Sequence, residues 1–155
     1  MPKLSVGARV PEFSLPACGG GTWSLRDAAG AGLVLYFYPR DLTSGCTRQA
    51  QEFRDHHPAF RKAGVQIVGI SRDSLASHAR FVAKEKLPYP LLADTEERVC
   101  RLFDVIKEKS LYGRTYLGVE RSTFLLDGAG RLRREWRNVK VPGHVEEVLE
   151  AAQRI

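Results

Sequence analysis

The chain has 155 residues, 43% hydrophobic and 27% charged. That is enough for one hydrophobic core and too short for two, so one domain over residues 1–155 is expected. The composition excludes a disordered chain, a collagen-like repeat and a mini-protein stapled by disulfides. The net charge is +6, and its positive side chains are scattered except for Arg131, Arg133, Arg134, Arg137 and Lys140. Leu132 and Trp136 fall within that run, which reads as a strand with one solvated face.

The predicted elements alternate along the chain. Phe13 to Leu15 and Thr22 to Leu25 are short extended pieces around a Gly-rich loop holding Cys18. Leu33 to Tyr38 is a continuous apolar and aromatic run, the pattern of a central strand covered on both faces, and Pro39 ends it. The run is also the longest of its kind, far short of the ~20 residues of a membrane helix. From Ser44, the residues Cys46, Ala50, Phe53, His57 and Phe60 recur at helical spacing on one face, with a kink or break expected at Pro58. Val65 to Ile70 is a second central strand, Ser74 to Lys86 a helix, and Leu91-Leu92 a short strand. Asp94-x-x-Glu97 reads as a capping box for a short helix through Phe103. Residues 104–120 read as loop. Ser122 to Leu126 and Arg131 to Trp136 are strands joined by Asp127-Gly128-Ala129-Gly130, and Val145, Val148, Leu149 and Ala152 mark a C-terminal amphipathic helix. The order predicts an α/β fold with a mixed sheet and helices on both faces.

No metal or cofactor is expected. The four histidines form no spaced ligand pair, and Cys18, Cys46 and Cys100 form neither C-x-x-C nor a disulfide framework. Met1-Pro2-Lys3-Leu4 opens no apolar leader, which points to the cytoplasm. There each thiol is by default inert.

Cys46 departs from that default by position. It falls in the first turn of a helix that follows a central strand, at the sheet edge where α/β proteins bind ligands. First-turn N–H groups lack intrahelical partners and, with the helix dipole, favour a thiolate there. Thr43 can cap the helix or turn its hydroxyl toward the thiolate, and Pro39 can shape and shield the pocket. Periodicity alone fits a buried core cysteine equally well.

Pro39-x-x-x-Thr43-x-x-Cys46 matches the active-site motif of peroxiredoxins. Tyr36-Phe37-Tyr38-Pro39-Arg40-Asp41 and Gly45-Cys46-Thr47 resemble the bacterioferritin comigratory protein, or peroxiredoxin Q, subfamily. So do Phe53-Arg54-Asp55, Val68-Gly69-Ile70-Ser71, Leu87-Pro88-Tyr89-Pro90-Leu91-Leu92, Tyr112-Gly113-Arg114-Thr115-Tyr116 and Glu120 to Asp127. Val139-Lys140 and Gly143-His144 extend the likeness almost to the end of the chain. The resemblance implies a thioredoxin-like fold and an antioxidant peroxidase that reduces hydrogen peroxide and organic hydroperoxides. It implies Cys46 as the peroxidatic nucleophile, Thr43 as a donor to the peroxide oxygens, and Arg121 as a fixed charge at the thiolate.

Two departures stand out. Ser44 replaces a proline common in relatives, which should loosen the loop. Gln51 occupies one usual position of the resolving cysteine, and the helix from Ser74 to Lys86, the other, holds none. Reduction by an external thiol (thioredoxin, glutaredoxin or a small thiol) is therefore ranked first, a Cys18 disulfide second and Cys100 a distant third. A monomer or weak dimer is expected. Three rival readings are a glutathione-peroxidase-like enzyme, disfavoured by the motif spacing, a disulfide oxidoreductase, which lacks C-x-x-C, and a basic nucleic-acid-binding module. The last lacks a binding motif and an aromatic platform.

Overall fold

The computed structural model describes residues 4–155. Residues 1–3, on which the reading of a missing leader partly rests, lie outside them. A small antiparallel pair, β1 (Ser14–Pro16) and β2 (Thr22–Ser24), precedes the main sheet. The main sheet contains β3 (Gly32–Phe37), β4 (Val65–Ser71), β5 (Leu91–Ala93), β8 (Ser122–Leu126) and β9 (Leu132–Trp136) in the order β5-β4-β3-β8-β9. β3, β4 and β5 are mutually parallel, whereas β8 runs antiparallel to β3 and β9 antiparallel to β8. The sheet is mixed, as predicted, and β3 is its middle strand.

Alternation along β3 divides the core. Leu33, Leu35 and Phe37 pack with Phe124, Phe103 and Val105 on one face. Val34, Tyr36 and Tyr38 pack on the other against α1 (Ser44–Lys62), α2 (Leu75–Glu85) and α4 (His144–Ala152). The first face is covered by α3 (Arg98–Leu102), the β1–β2 segment and the base of a hairpin. Helices therefore lie on both faces.

Three local expectations change. α1 runs unbroken through Pro58. The proline is exposed, while Phe53 and Phe60 on either side of it are fully buried. Burying each ring is worth about 2 kcal/mol, enough to offset the ~3 kcal/mol an interior proline costs. Residues 104–120 are not loop but a hairpin, β6 (Ile106–Leu111) and β7 (Arg114–Val119), pairing only with each other. Its turn is Tyr112-Gly113, with φ of 52° and 77°, the positive pair a two-residue hairpin turn requires. Asp94 makes no capping box. Glu97 occupies the N-cap of α3 in a left-handed conformation, and Asp94 Oδ2 instead accepts the Cys100 N–H at 2.7 Å.

The basic run around β9 is largely engaged within the chain. Arg131 donates to the Gly7 carbonyl, Arg133 faces Asp127, Arg134 faces Glu147, and Arg137 donates to the Phe103 and Asp104 carbonyls. Among the described residues no helix is long and apolar enough to cross a membrane.

Candidate active site

β3 leads into the site. The Tyr38 N–H still bonds to the Ile70 carbonyl at 3.2 Å, after which half-buried Pro39 turns the chain out of the sheet. Leu42 adopts φ 66°, an uncommon left-handed conformation for a leucine, and Thr43 becomes the N-cap of α1. The first intrahelical bond runs from the Thr47 N–H to the Thr43 carbonyl at 2.8 Å. The N–H groups of Ser44, Gly45 and Cys46 thus point out of the helix end.

Cys46 is 2% exposed and lies on the inner face of α1 with Ala50, Phe53 and Phe60. It is at once the core residue that periodicity allows and the helix-start thiol that chemistry needs. Arg121, in the chain just before β8, extends Nη2 to 3.3 Å from Cys46 Sγ, and its backbone carbonyl is held by the Val139 N–H. A residue 75 positions away is thereby brought onto the thiol.

The hydroxyl of Thr43 does not face the sulfur. Thr43 is exposed, gives no side-chain cap, and donates to the Arg40 carbonyl at 2.9 Å. That bond tightens the loop as a local side-chain turn.

Two groups were not foreseen. Gln49, one helical turn after Cys46 and fully buried, accepts from Arg121 Nη1 at 2.5 Å and so fixes the guanidinium plane. Its Nε2 has no partner among the described residues. The three-residue spacing from Cys46 is the signal that could have found it. Lys109, on β6, lays its stem across Gly118, where an added Cβ would meet Lys109 Cδ at 3.1 Å. Its Nζ donates to the Val119 carbonyl at 2.6 Å. Burial and then the Arg121 charge pull its ammonium down, and the Cys46 sulfur pushes it up. It is a second cation at the site, carried by the segment predicted as loop.

The other cysteines lie apart. Cys100 is fully buried on α3, across the sheet from Cys46, and burial followed by Asp94 raises its thiol far above the ordinary range. Cys18 is half-buried on the same face as Cys46, but its N–H bonds to the Leu91 carbonyl beyond β5. Burial and Asp41 both raise the Cys18 thiol. Among the described residues no cluster of His, Cys, Asp and Glu has the arrangement of a metal site.

The sequence profile of the AhpC/TSA family matches residues 6–135. Peroxiredoxin Bcp of Xanthomonas campestris is 49% identical over 148 residues, covering 96% of this chain and 92% of the relative. Peroxiredoxin Bcp of Bacillus subtilis is 46% identical over 147 residues, covering 95% of this chain and 94% of the relative. Among solved structures, Xanthomonas campestris peroxiredoxin Q superposes with a TM-score of 0.88 at 49% identity, covering 92% of this chain and 90% of that one.

Proposed function

The chain belongs to the AhpC/TSA family, within its Bcp and peroxiredoxin Q group, and from that premise we propose that the thiol peroxidase reaction runs here through Cys46. The Cys46 thiolate attacks the distal oxygen of a hydroperoxide. An S–O bond forms, the O–O bond breaks, and the proximal oxygen leaves as water or alcohol after taking a proton. Cys46 is left as a sulfenic acid. The contact between Arg121 Nη2 and Cys46 Sγ at the open end of α1 carries this reading. Guanidinium and first-turn N–H groups stabilise the sulfur anion and then face the charge that develops on the peroxide oxygens. Gln49 holds the guanidinium by its second arm. Thr43 exchanges its bond to Arg40 for one to the peroxide, and Pro39 shields the pocket.

The substrates are hydrogen peroxide and alkyl hydroperoxides. Supporting the second class, a solved structure of the Xanthomonas campestris bacterioferritin comigratory protein, 48% identical, is described in terms of its alkyl peroxide reduction activity. The reductant is an external thiol or thioredoxin-like protein acting on the Cys46 sulfenic acid. The place of Cys18 beyond β5, where its N–H is tied to the Leu91 carbonyl, and the sheet between Cys46 and Cys100 support that order, and a monomer or weak dimer suffices for it.

Cysteine-to-serine variants test the assignment. Cys46→Ser should abolish peroxide consumption, while Cys18→Ser and Cys100→Ser keep the wild-type first turnover. Cys46→Ser turning over at the wild-type rate would overturn the assignment. Non-reducing peptide mapping after peroxide tests the reductant. A stoichiometric Cys18–Cys46 peptide from single chains would contradict an external thiol.

A further inference from the structure

The densest buried polar cluster outside the Cys46 contacts lies on the loop that delivers α1. Asp41 stands in that loop with its side chain 1% exposed. Its Oδ1 accepts from the Tyr38 hydroxyl at 2.5 Å, and its Oδ2 from Ser77 Oγ at 2.8 Å and His78 Nδ1 at 2.7 Å. The His78 side chain is 0% exposed, and its Nε2 donates to the Leu92 carbonyl at 2.9 Å. Burial alone would raise the Asp41 carboxyl. Hydrogen bonds from His78, Tyr38 and Ser77 more than reverse that and hold it below its usual range, as a carboxylate. A carbonyl and a carboxylate both only accept, so each ring nitrogen of His78 faces an acceptor. The loop backbone is tied down as well, because the Asp41 N–H donates to Asp73 Oδ2 at 2.9 Å.

Removing a partner from a buried, hydrogen-bonded carboxylate is costly because the charge is left unsatisfied. The cluster therefore clamps the loop to α2 and β5 in the geometry that sets Cys46 against Arg121. Yet at 2% exposure an oxidised Cys46 is out of reach of an attacking thiol. The peroxide step needs the loop closed, and reduction of the sulfenic acid needs it open.

We propose that Asp41 and His78 are positioning residues that latch the Cys46 loop shut, so that their buried hydrogen bond sets the balance between the peroxide step and the reduction step. The inference rests on the assignment of Cys46 made above. Reduction follows Cys46–SOH plus a thiol giving a mixed disulfide and water, and a second thiol then releases the Cys46 thiol.

The test measures both half-reactions separately in His78→Gln, Ser77→Ala and Tyr38→Phe. Single-turnover consumption of hydrogen peroxide by reduced enzyme gives the first rate. Reduction of preformed sulfenic acid by 2-mercaptoethanol, followed by mass, gives the second. The latch predicts opposite changes: a slower peroxide step and faster reduction. In Ser77→Ala the ratio of the two rates should move about ten-fold or more, as expected for one lost hydrogen bond to a charged group. A merely structural role would lower both rates together with the folded fraction. That result, or two unchanged rates, would overturn the latch. If His78→Gln does not fold, Ser77→Ala and Tyr38→Phe decide. The Cys46→Ser control separates the two readings, since a peroxide burst surviving in it removes the Cys46 assignment whatever the latch variants do.

Discussion

At the scale of single residues, the site is a thiol touched by one cation, with a second held nearby on the hairpin. Arg121 touches the sulfur and is braced by Gln49 through its other arm. Lys109 reaches the same region from the hairpin with its ammonium tied to a carbonyl. Arg121→Met should slow the peroxide step by about 10²-fold, the usual loss for one donor aimed at developing charge. Arg121→Lys should recover part of it, because charge returns without the two-armed geometry. Lys109→Met should slow the step only several-fold. Stopped-flow single turnovers measure all three, and an equal loss in the arginine and lysine variants would contradict this ranking. Part of the arrangement could be read directly. Thr43, Cys46 and Gln49 share one short segment, and helical spacing puts the last two on one face. Arg121 was placed by family resemblance, since nothing local marks it. Lys109 and the Asp41–His78 pair escaped notice because each acts across dozens of residues, and a single sequence carries no signal for such contacts.

At the scale of elements, the β6–β7 hairpin is the part that pattern missed, for a physical reason. Leu111, Tyr112, Tyr116 and Leu117 are all exposed, so the strand has no buried face to impose an apolar-polar alternation. Only its base is anchored, through Val105 and Val119 in the core and the Glu120 N–H on the Val105 carbonyl. The hairpin depends on its turn. Gly113→Val puts a β-branched residue at φ 77° and should cost on the order of 1–2 kcal/mol locally. Hydrogen exchange across residues 106–119 should speed up while protection in β3 and β4 stays unchanged. Equal loss of protection in β3 would mean that the hairpin is part of the global cooperative unit. The opposite lesson comes from α1. There local chemistry at Pro58 predicted an interruption, and the buried Phe53 and Phe60 overrode it. The central strands were legible because β3 and β4 are covered on both faces and their composition says so.

At the scale of the whole molecule, the sheet separates two cores, and the site belongs to the one closed by α1, α2 and α4. His144 at the start of α4 links that core to pH. Its Nε2 pairs with Thr123 Oγ1 at 2.8 Å, and burial, reinforced by Arg121 and opposed by Glu147, lowers its pKa from 6.5 to about 4. The unfolded chain therefore binds a proton between about pH 6.5 and 4 that the folded chain refuses. Stability is fully present above that window and falls as pH drops through it, by up to about 3 kcal/mol from this residue. Denaturant melts from pH 7 to 4.5 should show a smaller fall in His144→Gln, which retains a partner for Thr123. Parallel wild-type and variant profiles would contradict the buried neutral ring. The central claim is that Cys46 alone takes oxygen from peroxide and loses it as water when a thiol from outside the chain attacks the sulfur. Intact mass after one equivalent of hydrogen peroxide, with and without added thiol, tests that claim most directly. The gain of one oxygen atom, mapped to Cys46 and removed by the thiol, is expected. An unchanged mass, or an oxygen carried on Cys18 or Cys100, would contradict it.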